Sequence, residues 1–233
     1  VIVTAGATGV RAAMSASKTT PIVIANVGDA VAQGFVASLA RPGGNVTGLT
    51  SLNTELSVKR LDLLAEALPS IRQVVALVEA VGDSGPVQAT EAAAKVLGLK
   101  LEVMRVREVD ELASAFAAMP AGHGAALCVI QGPLFTSQLR RIVELAAARG
   151  LPAIYPDSRY VEVGGLMSYG PNIRELYRQA ATYIDRILKG GAPATMPVEQ
   201  PSVFELALNL KTARSLGVSV SRAVLTRADI VLG

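Results

Sequence analysis

The stretch YPDSRYVEVGGLMSYGPN, residues 155–172, is the part of the chain that decides the expected fold. It begins where the apolar run 152–155, which has the length of a buried strand, ends in polar residues. Paired glycines lead to a second strand-like run at 166–169, and a Pro-Asn pair then opens a long segment of helical periodicity. Aromatic rings and a carboxylate thus follow a strand end, where open α/β sheets bind ligands. The stretch holds no nucleophile–base pair, which indicates binding and not cleavage.

Strand-length apolar runs alternate with helical periodicity along most of the chain. This alternation predicts parallel sheets with right-handed crossovers, so the expected fold class is α/β. Among the predicted helices are 31–39, after a strand at 21–25, and 134–149, after a strand at 125–130.

Three extended stretches interrupt this alternation of predicted strands and helices, at 43–48, 164–170 and 197–201. Each combines a short extended run with glycine or proline, as expected where a chain crosses between lobes. We therefore predict two Rossmann-like lobes with parallel sheets, joined by a three-segment hinge. The predicted lobe one comprises 1–49 and 170–196, and the predicted lobe two comprises 50–169 and 197–233.

Composition argues against several classes of protein. The 233 residues are 51% hydrophobic but 4% aromatic with no Trp, which is typical of helices packed closely on a parallel sheet. The net charge of +3 comes from scattered basic residues, so no nucleic-acid partner is expected. No apolar run reaches the roughly 18 residues of a membrane span. Cys128 lies in an apolar run and is expected to be a buried hydrophobe, and neither a metal nor another cofactor is expected.

Four stretches carry a family resemblance: 41–48 (RPGGNVTG), 165–172 (GLMSYGPN), 197–201 (PVEQP) and 209–213 (NLKTA). They resemble the substrate-binding proteins of ABC transporters with a type I periplasmic binding fold, a group that includes tryptophan- and tyrosine-binding members. The resemblance runs in order from residue 1 to about 232. It implies capture of a small molecule by hinge closure, delivery to an ABC permease, and a periplasmic or lipid-anchored location.

The resemblance also concerns the start of the chain. Members of this family carry an export signal and further β-α-β elements before the position of Val1. It therefore implies that lobe one is incomplete at its N-terminus here, and that the intact protein is a monomer.

In lobe one the candidate ligand-binding residues follow predicted strand ends. The turn at 4–8 offers hydroxyls and N–H groups that suit a ligand carboxylate, although ordinary helix capping explains the same residues. Asp29 has the same two interpretations, because a helix is predicted to begin just after it. Thr50 follows the first crossing and would line the hinge. The other candidates of this lobe are Thr4, Gly6, Ala7, Thr8 and Asn26.

In lobe two the main candidates are Tyr155 and Asp157. Asp157 would pair with a ligand ammonium through a charge-assisted bond worth about 1.5–3 kcal/mol, or it would cap a short turn. Phe135 would stack on the ligand, or it would lie in the core as the first buried residue of its helix. The remaining candidates are Asp83, Gln131 and Tyr169. Together these residues suit a small zwitterion such as an amino acid.

Three functional classes stay open on these residues. The leading interpretation is the solute-binding component of an ABC importer. A ligand-sensing regulatory domain of the same fold is an alternative, which an upstream helix-turn-helix would support. A Rossmann-like enzyme is a further alternative, in which carboxylates such as Asp29 and Asp157 would do the acid–base work. Against an enzyme, no GxGxxG follows a strand, no P-loop occurs, and no Cys–His or Ser–His pair is available.

Overall fold

A computed structural model describes residues 1–81, 84–122 and 124–233. The chain forms two compact units and passes between them three times. Unit 1 comprises Val1–Asn53 and Pro171–Phe204, and unit 2 comprises Thr54–Gly170 and Glu205–Gly233.

The strands and helices alternate along most of the chain. The strands are β1 (Ile2–Ala5), β2 (Ile22–Asn26), β3 (Val46–Gly48), β4 (Gln73–Glu79), β5 (Lys100–Val106), β6 (Ala125–Val129), β7 (Ala153–Tyr155), β8 (Met167–Pro171), β9 (Phe204–Asn209) and β10 (Ile230–Leu232). The helices are α1 (Gly6–Ala16), α2 (Asn53–Ala67), α3 (Gly85–Val96), α4 (Glu111–Ala118), α5 (Pro133–Ser137), α6 (Leu139–Ala148), α7 (Ser158–Glu162), α8 (Ile173–Leu188), α9 (Leu210–Ser215) and α10 (Arg222–Leu225). A 3-10 turn spans Pro193–Thr195.

Unit 1 is built on a parallel sheet in the order β1-β2-β3. The central strand β2 is buried on both faces, because Ile22 and Ile24 enter one apolar cluster while Val23 and Ala25 enter another. The second cluster includes Ile173 and other apolar residues of α8. Burial on both faces explains why β2 is a continuous apolar run and not an alternating one.

Unit 2 is built on a sheet in the order β10-β9-β8-β7-β6-β4-β5. The pairs β4–β5, β4–β6, β6–β7, β7–β8 and β9–β10 are parallel. In β4, Val74 and Ala76 face one apolar cluster and Val75 and Leu77 face another, as the period of two in a strand requires. The predicted α/β class with parallel sheets is thus confirmed.

The third chain crossing differs in position from the expected one. The expected boundaries were 49/50, 169/170 and 196/197, whereas the units divide at 53/54, 170/171 and 204/205. Residues 197–204 belong to unit 1 because Glu199 forms a parallel bridge with Leu49 and accepts a hydrogen bond from the Thr50 N–H at 2.9 Å. This backbone pairing joins residues far apart in sequence, which local patterns do not reveal.

The helix predicted at 31–39 is wrong. The segment forms hydrogen-bonded turns, and Gly34 takes a φ of +71°, which a continuing right-handed helix does not allow. Phe35 and Val36 are nevertheless buried in the core of unit 1. Their apolar character was correctly interpreted as burial, but the backbone reaches it without a helix.

The helix predicted at 134–149 is divided into α5 and α6. The division falls at Gln138, whose φ of −110° and ψ of 19° leave the helical region. A further short helix, α7, occupies 158–162, where a turn was expected. It begins at Asp157, whose side chain accepts a hydrogen bond from the Arg159 N–H.

Candidate functional site

In unit 1, candidate residues lie at the carboxyl edge of the parallel sheet. The register places Ala5, which directly follows Thr4 in β1, beside Asn26 of β2. The Asn26 Oδ1 atom is buried and has no hydrogen-bond partner in the described part of the chain. A buried acceptor without a donor is costly, so this atom is a candidate contact for a ligand donor.

The turn at 4–8 leads directly into α1. Gly6 has a φ of +71°, and no side chain of the described residues caps the first turn of this helix. The capping alternative for Thr4 and Thr8 is therefore not realised. The turn leaves its first N–H groups to solvent or to a ligand, and Gly6 and Ala7 are half-buried beside them.

Asp29 and Thr50 make bonds within the chain. The Asp29 Oδ1 atom accepts from the N–H groups of Val31 at 3.0 Å and Ala32 at 2.9 Å, so the capping alternative describes this residue. The Thr50 hydroxyl donates to the Gly28 carbonyl and accepts from the Ala30 N–H at 3.2 Å. Both side chains stabilise the loop after β2.

In unit 2, two of the three aromatic candidates lie inside the core. Phe135 is 0% exposed and Tyr155 is 1% exposed, and both belong to the same apolar cluster. The Tyr155 ring stacks on Tyr160 with centroids 4.9 Å apart. The core alternative therefore describes Phe135, and Tyr155 likewise presents no free face. Burial raises the pKa of the Tyr155 hydroxyl.

The Asp157 carboxylate is already paired. Its Oδ1 accepts from Arg159 Nε at 2.8 Å and its Oδ2 accepts from Arg159 Nη2 at 2.9 Å. The side chain is 2% exposed, and Oδ1 also caps α7. A fork-to-fork pair of this kind occupies both carboxylate oxygens. The expected pairing of Asp157 with a ligand ammonium would thus have to share oxygens that Arg159 already holds, on a side chain that is 2% exposed.

Of the three remaining candidates of unit 2, Tyr169 and Asp83 give less information. Tyr169 is half-buried against the core, and its carbonyl accepts a hydrogen bond from Arg60 Nε at 2.7 Å. Asp83 lies outside the described residues.

Arg60 is a buried charged residue beside Tyr169 and Pro156. The sequence interpretation missed it. It is 0% exposed, and besides the bond to Tyr169 its Nη2 donates to the Pro156 carbonyl at 3.4 Å. Burial lowers the pKa of Arg60 to about 10, so it remains charged at neutral pH. Arg60 lies four residues from Leu56 and four from Leu64, and both leucines are buried. This spacing places Arg60 on the apolar stripe of α2 and could have predicted its burial.

Glu79, which the sequence interpretation missed, lies beside the predicted candidate Gln131. Glu79 ends β4, and the register that pairs Leu77 with Val129 places Glu79 level with Gln131. The Glu79 Oε1 atom accepts from the N–H groups of Leu134 at 2.6 Å and Phe135 at 3.4 Å. The Gln131 Oε1 atom is buried and has no hydrogen-bond partner in the described ranges.

The backbone after Gln131 approaches this carboxylate closely. A Cβ added at Gly132 would overlap Glu79 Oε1 and lie 2.8 Å from Glu79 Cγ. Burial raises the pKa of Glu79 above its ordinary 4.5, and the bonds from Leu134 and Phe135 only partly oppose this.

Glu79→Gln is expected to change how stability depends on pH. Because the folded-state pKa of Glu79 is raised, the stability contributed by its protonated form is fully present below pH 4.5 and is lost as pH rises through that pKa. The amide has no such loss. Thermal denaturation over a pH series should therefore show the variant gaining stability relative to the unsubstituted protein as the pH rises above 4.5.

Glu91→Gln provides the matched control, because it makes the same substitution on the exposed face of α3. The same pH trend in both variants would show that Glu79 is not the group responsible.

Two absences concern the described ranges. No helix in them is both long and apolar enough to cross a membrane. The same residues include no group of three or more His, Cys, Asp or Glu side chains arranged to hold a metal ion.

Comparisons with known proteins establish the family. The model of the ABC transporter substrate binding protein family matches residues 1–232. Over 209 residues the chain is 25% identical to the tyrosine-binding protein of Clostridioides difficile strain R20291, covering 88% of this chain and 59% of that protein. The chain therefore spans less than two thirds of this curated relative.

Two solved structures share the fold. One is the ABC domain from Streptococcus pneumoniae in complex with L-Trp, at a TM-score of 0.88 and 26% identity, covering 100% of this chain and 78% of that one. The other is a conserved domain protein from Vibrio cholerae, at a TM-score of 0.89 and 27% identity, covering 98% and 77%. The chain thus belongs to the ABC transporter substrate-binding protein family and has its type I periplasmic binding fold.

Proposed function

We propose that this protein captures an amino acid outside the cytoplasm and delivers it to a membrane permease without transforming it. The observation that carries the proposal is the family match over residues 1–232. A relative that binds tyrosine and a neighbour solved with L-Trp support an amino acid as the ligand. Closure of a hinge around the ligand is part of the proposal, since binding to one conformation shifts the population toward it.

Unit 1 offers groups that would bind the carboxylate of such a ligand. The N–H groups at the start of α1 have no side-chain cap, and the positive end of the helix dipole favours an anion there. We assign the ligand carboxylate to the turn formed by Thr4, Gly6, Ala7 and Thr8. Asn26, whose Oδ1 has no partner in the described part of the chain, would accept a hydrogen bond from a donor group of the same ligand and not from its carboxylate.

A thermal-shift titration tests the proposed function. L-tryptophan and L-tyrosine are added to the protein, followed by the other amino acids, with glucose and adenosine as controls. A ligand present at 100 times its Kd stabilises the folded state by about 2.7 kcal/mol, which for a chain of this size raises Tm by about 5–10 °C. A shift with an amino acid and none with the controls is expected. No shift with any amino acid, or chemical turnover of one, would contradict the proposal.

A further inference from the structure

We propose that Glu79 and Gln131 form the subsite that binds the ammonium group of the ligand. This inference rests on the proposed function and identifies the residues that recognise one end of the amino acid. It takes the ammonium-binding role away from Asp157, whose two carboxylate oxygens are both held by Arg159.

The positions of Glu79 and Gln131 in the sheet support this assignment. Glu79 and Gln131 lie at the carboxyl ends of adjacent parallel strands and level with each other, so their side chains leave the sheet on the same face. Both residues are half-buried, so each keeps part of its surface open to solvent. The carboxyl edge of a parallel sheet is also where this architecture binds ligands.

Glu79 and Gln131 also have unused hydrogen-bonding capacity. The two bonds that Glu79 accepts both go to Oε1, which leaves Oε2 available in the described part of the chain. Gln131 adds a buried Oε1 that no described donor reaches. Gln131 Oε1 and Glu79 Oε2 lie on residues that are level with each other, and two such acceptors suit a group that offers several N–H bonds, of which an ammonium offers three.

The negative charge of Glu79 also favours a cationic ligand group. No lysine or arginine within 1–81, 84–122 and 124–233 forms an ion pair with Glu79. Its carboxylate is therefore a partly desolvated anion, and among the described residues the groups that balance it are the N–H dipoles of Leu134 and Phe135. A ligand cation would supply the missing charge, as a buried anion requires.

Gly132 supports the same assignment. Any larger residue at this position would overlap the Glu79 carboxylate, so glycine lets the carboxylate keep its place beside Gln131. The Gly132 φ of −162° is ordinary extended backbone, which means that close approach, and not backbone conformation, is the reason for glycine.

Glu79 also caps α5, and the test must separate that structural role from ligand recognition. Glu79→Gln retains an oxygen that can accept from Leu134 and Phe135, but it removes the negative charge. Gln131→Leu removes the second acceptor and leaves Glu79 unchanged. Glu91→Gln is again the matched control on an exposed helix face.

Two ligand pairs are titrated by calorimetry into each variant. L-tyrosine is compared with 3-(4-hydroxyphenyl)propionate, and L-tryptophan with indole-3-propionate, since each acid lacks only the ammonium. The unsubstituted protein and Glu91→Gln should prefer the amino acid of at least one pair by about 10- to 100-fold, the range of one charge-assisted hydrogen bond. Glu79→Gln should lose most of that preference, and Gln131→Leu a smaller part of it.

The outcomes distinguish this inference from the proposed function. If the unsubstituted protein binds neither L-tyrosine nor L-tryptophan, the inference is wrong for these amino acids. The thermal-shift titration of the remaining amino acids then tests the proposed function. If it binds one of them and Glu79→Gln keeps the full preference over the acid lacking the ammonium, the inference alone is wrong. A purely structural role for Glu79 would weaken both members of a pair equally, which also overturns the inference.

Discussion

Gly48→Ala is expected to lower Tm by about 10 °C, corresponding to about 3–5 kcal/mol from combined backbone strain and overpacking. Gly48 has a φ of +127°, a conformation that residues with a Cβ rarely adopt. An added Cβ would lie 2.6 Å from the Ile24 N atom and closer still to the Ile24 carbonyl oxygen.

The clash cannot be relieved by moving a side chain. Ile24 is the register partner of Gly48 in the central strand, and its carbonyl accepts from the Leu49 N–H at 2.7 Å. Moving β3 away would therefore break the pairing on which the sheet of unit 1 depends. Differential scanning calorimetry measures the loss and shows whether it falls on a separate transition of unit 1.

Gly44→Ala is the control from the same glycine-rich stretch. No described atom lies within 4 Å of the position that its Cβ would take, and its φ is not positive. Its effect should stay within about 1 kcal/mol. Equal Tm values for the Gly44 and Gly48 variants would show that the close approach of β3 to β2 is not rigid.

Arg60→Ala is the second substitution with a large expected effect. It leaves a cavity in the core of unit 2 and removes the donors to the carbonyls of Tyr169 and Pro156. Cavity formation and unsatisfied buried acceptors together should cost about 3–5 kcal/mol, or about 10 °C in Tm. Urea denaturation followed by circular dichroism measures this free energy of unfolding.

Two further variants separate the contributions. Arg60→Met keeps most of the volume and loses only the donors and the charge, so its cost should be clearly smaller, about 1–3 kcal/mol. Arg227→Ala removes an arginine whose side chain is 46% exposed and pairs with Glu66 at 2.8 Å, and it should cost at most about 1 kcal/mol. If Arg60→Ala and Arg227→Ala cost the same, burial of Arg60 has no energetic consequence.

Much of the fold could be predicted from local patterns. The strands β2 and β6 were predicted because each is a continuous apolar run of strand length, and α8 because Asn172 and the apolar period that follows it mark a helix start. The family was recognised from motifs around glycine and proline, and the match over residues 1–232 confirms it.

The errors also have a local cause. At 31–39 the apolar spacing favoured a helix, but nothing in that spacing reports the positive φ at Gly34. The ligand contact at Asp157 stays a prediction, and the sequence pattern did not report that the arginine two residues later folds back onto both carboxylate oxygens. A pattern of residue types shows which groups are polar, but it does not show which of them already have partners.

By itself the sequence determined the alternation of strands and helices, because apolar periodicity acts over a few neighbouring residues and is readable from them. Only the tertiary structure decided which polar groups lie together at the strand ends. Glu79 meets Leu134 across 55 positions, and Arg60 meets Tyr169 across 109. Such contacts depend on the order and register of strands in the sheet, and that order is set by packing of the whole core and not by any short stretch.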